Sequence, residues 1–468
     1  MTTRKGRWAA VVLGAVACLG AALPSRADGL RAGAAMVKIT PPPGTPMAGY
    51  YHARGAESVH DDLFARAVVL ERDGAKAAIV SLDVITTTPA LAAEARRLIE
   101  ADPGIPGDAV LVSGTHTHTG PTLAGRGQRD ETIGGMTTAT ADYTEALPGR
   151  IAEAVRLAHA ALAPASCSAA AGREESIAFN RRYHMKDGTV GWNPGKLNPN
   201  IVRPAGPIDP EVQAVWFEVA KQPAAVCVSY AVHLDNVGGA QISADLPFTL
   251  SRCLADARGA GLVTLFQNGC CGDVNHIDVG WGAPQKGHEN AARMGTILAA
   301  EVLRGLPRLQ PAGDGPIRGR RETVALPLPP VDDAMRERAK AVKARVQSGA
   351  KPEPKFMEQV EAFKALDVAA REGKPVEAEV QVIALGPDVA WVGLPGEIFV
   401  ELGLAIKRDS PFKHTLVVEL ANGSVGYVPT QRAYAEGNYE VVSARVGEGS
   451  GELLVAAAQR MLKALFAK

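Results

Sequence analysis

Two hydrophobic patterns alternate along this chain. Short β-branched and aromatic runs are typical of buried strands, and longer segments with apolar residues every three or four positions are typical of amphipathic helices. The strand-like runs are residues 76–85, 109–113, 214–220, 224–233, 262–266, 380–385, 389–394 and 415–420. Their alternation with helices predicts an α/β or mixed α+β fold, in which mixed sheets are layered with flanking helices.

Several helices can be placed from the same pattern. Thr88 and Pro89 are residue types that suit an N-cap and a first helical turn. A helix over 142–162 has one apolar side, and so does the C-terminal segment ELLVAAAQRMLKAL. Residues 332–371 are charged, helix-forming and interrupted by GAKPEP. We interpret them as a helical hairpin inserted on the surface, with a solvated face and no function of its own.

The chemistry of the N-terminus and the composition narrow the class of protein. The 468 residues include 50 basic and 50 acidic side chains, which indicates a globular protein without a nucleic-acid partner. A basic start, an apolar run and small residues before Asp28 predict a signal peptide over 1–27, a single domain over 28–468 and a secreted or periplasmic protein. The apolar run is shorter than the roughly 20 residues of a stable membrane span. The five cysteines that remain could form one disulfide, but their spacing does not say which.

The motif SGTHTHTGP places His116 and His118 two positions apart after an apolar strand. Because alternate strand residues share a face, both imidazoles are expected on one side. Metal binding or proton transfer fits this arrangement, and so does a loop entrance with exposed histidines and threonines. Residues 122–140 follow, rich in glycine and threonine and without an apolar period, so they predict a long loop that is either a lid or disordered.

Polar residues stand directly after several predicted strands, where ligand and catalytic groups of α/β sheets gather. The candidates are His116, His233, Asp273 with Asn275, Glu397 and Tyr427. Two histidines and a carboxylate can hold Zn²⁺ and leave one position for water or substrate. Each residue alone has a simpler explanation, such as a structural histidine or an acid at a helix N-terminus. Their joint occurrence favours a metal site.

Six motifs carry a resemblance to the neutral ceramidases. THTHTGP, NRR at 180–182, VH at 232–233, NGCCGDVN, LPGE and GYVPT occur in the same order as in that family, and the similarity runs from about Gly33 to Tyr439. The resemblance implies the family's catalytic-domain fold, one Zn²⁺ per chain and cleavage of the amide of an N-acylated sphingoid base. The implied zinc ligands are His116, His233, Glu397 and Tyr427.

The resemblance also implies roles for residues around the metal. His118 would be an acid-base group or lie behind the ligands. Arg181 corresponds to the arginine of the family's Asn-Arg-Ser motif, and Tyr439 corresponds to the tyrosine that polarises the scissile carbonyl. Asp273 and Asn236 are placed against the substrate or directly behind the ligands.

The sequence departs from the family at the nucleophile. Neutral ceramidases have GDVSPN, whose serine is credited with the attack, whereas this chain has GDVNHI at 272–277. Asn275 cannot become an attacking oxyanion, so either metal-activated water attacks, with Asn275 orienting the substrate or its oxyanion, or the chemistry is lost. A thiol of Cys270 or Cys271 is a third route, although a buried turn or a vicinal disulfide also explains this pair. His276 is expected to face solvent.

A second departure concerns length and substrate. No residues remain for the immunoglobulin-like domain of the family, so we expect the catalytic domain alone, and the absence of an interfacial helix weakens the case for ceramide itself. We predict an exported zinc-dependent hydrolase that cleaves ceramide-like N-acyl lipids by metal-activated water. Its partner would be a small N-acylated molecule, with no nucleic acid and no stable membrane span. The alternatives are a zinc esterase or amidase for another small acylated substrate, and a catalytically silent metal-containing binding protein.

Overall fold

The structure, a computed structural model, describes residues 29–467, so the predicted signal peptide lies outside the described residues. The strands are β1 (Arg31–Lys38), β2 (Ser58–Val59), β3 (Phe64–Arg72), β4 (Ala75–Leu82), β5 (Val110–Gly114), β6 (Ala163–Arg173), β7 (Phe179–Asn180), β8 (Arg182–Met185), β9 (Val190–Trp192), β10 (Ile201–Pro204), β11 (Glu211–Val219), β12 (Gln222–Tyr230), β13 (Gln241–Ile242), β14 (Val263–Asn268), β15 (Val274–Asn275), β16 (Gln310–Pro311), β17 (Ile317–Leu326), β18 (Val376–Leu385), β19 (Val389–Gly393), β20 (Glu397–Ile398), β21 (His414–Val418) and β22 (Tyr427–Val428). The helices are α1 (Pro89–Ala101), α2 (Gln128–Thr132), α3 (Thr138–Ala160), α4 (Leu246–Arg258), α5 (His288–Arg304), α6 (Asp333–Ser348), α7 (Phe356–Ala369), α8 (Val400–Arg408), α9 (Gln431–Glu436), α10 (Tyr439–Ser443) and α11 (Ser450–Phe466).

Two large sheets form the frame. The first has the strand order β14-β12-β11-β6-β1-β3-β4-β5, with β16 paired to β6, and the second has the order β17-β18-β19-β21. Three pairs are parallel, namely β4 with β5, β12 with β14 and β19 with β21. The other pairs in these sheets are antiparallel, so both sheets are mixed as predicted.

The sheets pack on each other and the helices cover them from outside. Trp391 of β19 donates a hydrogen bond from Nε1 to Gln267 of β14 at 3.0 Å, which ties one sheet to the other within the core. Val215 and Phe217 of β11 share a continuous core with Trp391, while their neighbour Trp216 belongs to the core under α4 and α5. The opposite face of the second sheet packs on α8 and α11. The predicted layers with flanking helices are therefore confirmed.

Local sequence signals agree closely with several element boundaries. The Thr88 hydroxyl accepts a hydrogen bond from the Leu91 amide at 3.2 Å, and α1 begins at Pro89, as the capping pattern predicts. The helix predicted over 142–162 begins earlier, at Thr138, because Thr137 caps it through the Thr140 amide. The predicted loop over 122–140 therefore contains the first turn of α3 and the short helix α2.

The hairpin of α6 and α7 corrects the surface interpretation. Two helices form within 332–371 as expected, but α7 buries Val360 and Phe363 against the body of the protein. The Asp367 carboxylate accepts hydrogen bonds from the Gln128 amide at 2.9 Å and from Arg445 Nε at 2.6 Å. The hairpin thus holds α2 in place and is more than a solvated face.

All five cysteines within 29–467 are free thiols, so the disulfide considered from the sequence does not form. Among the same residues, no helix is both long and apolar enough to cross a membrane.

Candidate functional site

His116 lies just beyond the carboxyl end of β5 in a backbone conformation that is uncommon for a residue with a side chain. Its φ is 78°, in the left-handed region, and its ring is buried. Such a conformation costs about 1 kcal/mol or more and is often found at functional sites. His116 Nδ1 donates a hydrogen bond to the Ile85 carbonyl at 2.8 Å, which leaves Nε2 with a free lone pair.

His233 follows β12, and its Nε2 atom points at the Nε2 atom of His116. The two Nε2 atoms lie 2.9 Å apart, and His233 Nδ1 faces the Cys271 carbonyl at 3.4 Å. Burial lowers the pKa of both histidines, so both rings are neutral near pH 7. Two neutral imidazoles whose Nδ1 atoms face carbonyl groups direct their remaining lone pairs at each other.

Glu397 and Tyr427 reach the same point from a separate two-stranded sheet. They are paired in register on β20 and β22, two short parallel strands. The Glu397 carboxylate lies 3.6 Å from His116 Nε2 and 3.7 Å from His233 Nε2. Burial and the neighbouring Glu397 raise the pKa of Tyr427. The chain positions of these residues span more than 300 residues, yet the fold brings His116, His233 and Glu397 into contact distance, with Tyr427 beside Glu397.

His118 belongs to this cluster as well. Its Nε2 is 3.5 Å from His116 Nε2, and one nitrogen from each of His116, His118 and His233 lies within 4.8 Å of the others. Burial lowers the pKa of His118 to about 3. The other ring nitrogen, Nδ1, lies 3.8 Å from Asp235, a residue that sequence reasoning missed although it stands two positions after His233.

These residues fit a bound divalent metal. Neutral imidazoles held by backbone carbonyls, together with a carboxylate, are the donor set of zinc sites. Two facing Nε2 lone pairs repel each other unless a cation or a proton lies between them, and the lowered pKa values disfavour the proton. The predicted ligands His116, His233 and Glu397 are therefore close together, and Tyr427 is the neighbour of Glu397 in the strand pair.

Arg181 links the predicted ligands to a buried acid. Its Nη2 donates to the Tyr427 hydroxyl at 3.1 Å, and its Nε donates to Glu440 at 2.8 Å. The same carboxylate accepts from Arg182 Nη1 at 2.9 Å. Sequence reasoning did not identify Glu440, although two adjacent arginines that are buried together require an acidic partner.

Tyr439 lines the cavity beside the cluster. Its ring packs against Trp192 at 4.4 Å between centroids, against Phe356 of α7 at 5.5 Å and against Tyr427 at 5.4 Å. Burial raises the pKa of Tyr439, so its hydroxyl keeps its proton and can act as a hydrogen-bond donor.

The cavity itself has a volume of about 460 Å³. Its lining residues are Gly49, Tyr51, Ile85, Thr86, Thr87, Thr88, Pro89, His116, His118, Gly125, Arg126, Gly127, Arg129, Asp367, Arg371, Val376, Glu377, Glu397, Ser424, Val425, Gly426, Tyr427, Tyr439, Ser443 and Arg445. His233 and Arg181 lie behind this wall.

Two predicted site residues have structural partners instead of a place in this cavity. The Asp273 carboxylate accepts from the Val400 amide at the start of α8 and from Asn180, both at 2.8 Å. The Asn236 amide donates to Asp245 at 2.9 Å. Their side chains support the loops that carry Arg181 and His233 rather than contact the cavity.

Asn275 and His276 line a second cavity of about 310 Å³. The Asn275 amide donates to Asn193 at 3.0 Å, and its oxygen accepts from the Ile277 backbone, so its side chain is engaged away from the histidine cluster. His276 is only 2% exposed, which corrects the expectation that it faces solvent. Asp235 also lines this cavity, so it separates the second cavity from His118.

The thiols in the GDVN loop are unsuited to nucleophilic attack. Cys271 Sγ donates to the buried Glu419 carboxyl at 2.9 Å. Burial and Glu419 raise the pKa of Cys271 well above its usual value, and the pKa of Cys270 is raised for the same two reasons. Both side chains are therefore protonated at neutral pH, which argues against the thiol route.

Comparison with known proteins identifies the fold. No protein-family model matches the chain, and no curated protein matches it by sequence. The crystal structure of a neutral ceramidase from Pseudomonas aeruginosa matches with a TM-score of 0.71 and 20% identity, over 93% of this chain and 75% of that one. A ceramidase complexed with C2 matches with a TM-score of 0.73 and 19% identity, over 93% of this chain and 76% of the other. The chain therefore has the fold of the neutral ceramidases.

Proposed function

We propose that this protein is a zinc-dependent amidase that hydrolyses N-acyl compounds, with ceramide-like N-acyl lipids as the reference substrate class. The observation that carries the proposal is the contact between the Nε2 atoms of His116 and His233 at 2.9 Å, with the Glu397 carboxylate beside both. The ceramidase fold supports the choice of an amide as the scissile bond.

His116, His233 and Glu397 would hold the zinc ion, with Tyr427 as a fourth ligand. When bound, zinc supplies Lewis acidity that polarises a carbonyl and lowers the pKa of water towards neutrality. No side-chain nucleophile is needed for such a reaction, which agrees with Asn275 in place of a serine and with the protonated thiols nearby.

The chain's own residues supply the remaining functions. His118 is neutral, faces the cluster through Nε2 and lies near the Asp235 carboxylate through Nδ1, so it can accept a hydrogen bond from the substrate or the attacking water at Nε2. Tyr439 can donate a hydrogen bond to the carbonyl oxygen of the substrate. The Arg181 charge would stabilise negative charge that develops on Tyr427 beside a bound metal.

Metal content and amide hydrolysis test this proposal together. Purified protein should contain about one zinc per chain by atomic emission, and His116→Ala and His233→Ala should each lose it, whereas His159→Ala on α3 should keep it. Zinc-loaded protein should release amine from N-acyl substrates, and a chelator should stop the release. Retention of zinc in both histidine variants contradicts the metal site, and loaded protein without any amide hydrolysis contradicts the activity.

We also propose that the protein is exported. The basic start and apolar run before Asp28 support this proposal. N-terminal sequencing of the exported protein should begin at Asp28.

A further inference from the structure

Four arginines from three segments of the chain line the cavity that contains His116. They are Arg126, Arg129, Arg371 and Arg445. The first precedes α2 and the second lies within it, while the third follows α7 and the fourth follows α10. A cavity built to receive only hydrocarbon chains has no need of four buried or half-buried guanidinium groups, because each costs desolvation energy.

The two arginines near α2 share one acid. Asp130 lies 2.8 Å from Arg129 Nε and 3.3 Å from Arg126 Nε. The Arg126 side chain is only 12% exposed, and its Nη1 is buried without a hydrogen-bond partner among residues 29–467. Arg126 therefore has unused donor capacity at Nη1, and with Arg129 it carries one positive charge more than their shared acid balances.

Arg371 and Arg445, the other two arginines, also have more donors than the protein provides with acceptors. Asp367 binds Arg445 through Nε at 2.6 Å and also accepts from the Gln128 amide. Arg371 donates to the Pro375 carbonyl at 3.0 Å, but its buried Nε has no partner within the described chain. Glu377 is exposed on the cavity wall.

Arg126 lines the same cavity as His116, Glu397 and Tyr439. An anion held by Arg126 would therefore share this cavity with an amide placed at the histidine cluster.

Apolar surface in the cavity is limited. The aliphatic and proline side chains of its wall are Ile85, Pro89, Val376 and Val425. Two long hydrocarbon chains would need a continuous apolar wall to leave water. The positive charge of the four arginines and the shortage of apolar side chains both argue against a substrate that is made only of hydrocarbon chains.

We propose that the substrate of this site carries an oxyanion group, a carboxylate, sulfate or phosphate, close to the scissile amide, and that Arg126 binds it. This inference rests on the proposed amidase function and names its substrate class. Guanidinium groups pair with oxyanions through two parallel N–H donors, which gives orientation as well as affinity. Binding the anion at Arg126 would place the neighbouring amide against His116 and Glu397.

The test uses substrates that differ only in charge. Zinc-loaded protein is assayed with N-hexanoylglycine and its neutral counterpart N-hexanoylglycinamide, and with ceramide 1-phosphate and ceramide. We expect kcat/KM to be about ten- to a hundredfold higher for the anionic member of at least one pair, since a hydrogen bond to a charged group contributes about 1.5–3 kcal/mol. Arg126→Gln should abolish this preference, and Arg150→Gln, an exposed arginine on α3, should leave it intact.

Calorimetric binding of the same compounds provides a readout that does not depend on turnover. Preference for ceramide 1-phosphate alone assigns the oxyanion to a lipid headgroup, and preference for N-hexanoylglycine alone assigns it to a soluble molecule; both support the proposal. Equal or faster turnover of the neutral members in both pairs overturns it and leaves the amidase function intact. If no amide is cleaved, the amidase function fails. In that case, tighter binding of the anionic compounds that depends on Arg126 still supports the charge preference. Equal binding of the anionic and neutral compounds overturns the charge preference as well.

Discussion

Arg181 donates a hydrogen bond from Nη2 to the Tyr427 hydroxyl at 3.1 Å. The same guanidinium is held by Glu440 at 2.8 Å, so a buried acid positions the group that faces the phenol. Burial and Glu397 raise the pKa of Tyr427, and the positive charge of Arg181 opposes this rise. The geometry makes Arg181 a positioning residue for Tyr427.

Arg181→Lys should therefore impair catalysis more than folding. A lysine retains the charge but cannot contact Tyr427 and Glu440 with two separate nitrogens, so we expect kcat/KM to fall about a hundredfold. Amide hydrolysis, zinc content and thermal unfolding should be measured on one preparation, with Arg150→Lys as control. Unchanged kinetics in the lysine variant would contradict this role.

Cys271→Ser should retain hydrolysis within about threefold. The thiol is protonated and donates to Glu419, and a serine hydroxyl can make the same hydrogen bond. The free energy of unfolding should change by about 1 kcal/mol. Complete loss of activity in a folded, zinc-containing Cys271→Ser protein would instead support nucleophilic attack by the Cys271 thiol.

Phe363→Ala should loosen the hairpin of α6 and α7. The side chain is fully buried, and its ring lies 6.3 Å from that of Tyr51 on the cavity wall. Loss of a buried phenylalanine typically costs about 3–5 kcal/mol. Hydrogen exchange should rise in α7 and in α2, which Asp367 holds, and Met357→Ala at the exposed start of α7 is the matched control. Faster exchange in α7 without any change in α2 would contradict the coupling.

His276 should make the protein less stable in mild acid. Burial lowers the pKa of its imidazole from 6.5 to about 4, so between these values the unfolded chain binds a proton that the folded chain does not. The contribution of His276 to stability is complete above pH 6.5 and is lost as the pH falls towards 4. Denaturant unfolding of zinc-free protein at pH 7 and pH 4.5 should show a loss about 2 kcal/mol larger than in His276→Asn. Parallel losses in the two proteins would show that His276 is not responsible.

Much of the fold follows from local patterns. The runs over 109–113 and 389–394 became β5 and β19, and the cap at Thr88 marks the start of α1, because such signals depend on neighbouring residues alone. The polar residues at strand ends were identifiable for the same reason, and the geometry brings His116, His233 and Glu397 together. Their roles as ligands stay predictions until a metal is measured.

The sequence by itself determined the strands, the histidine pair, and the absence of a serine at Asn275. Only the tertiary structure decided that Glu440 holds Arg181, that Asp367 of α7 lines the cavity with His116, that the five thiols within 29–467 are free, and that Arg126 and Arg445 line one cavity. The reason is physical. Hydrogen bonding, burial and charge balance depend on groups that lie hundreds of residues apart. The hydrophobic pattern of a short segment does not show which distant side chain will contact it.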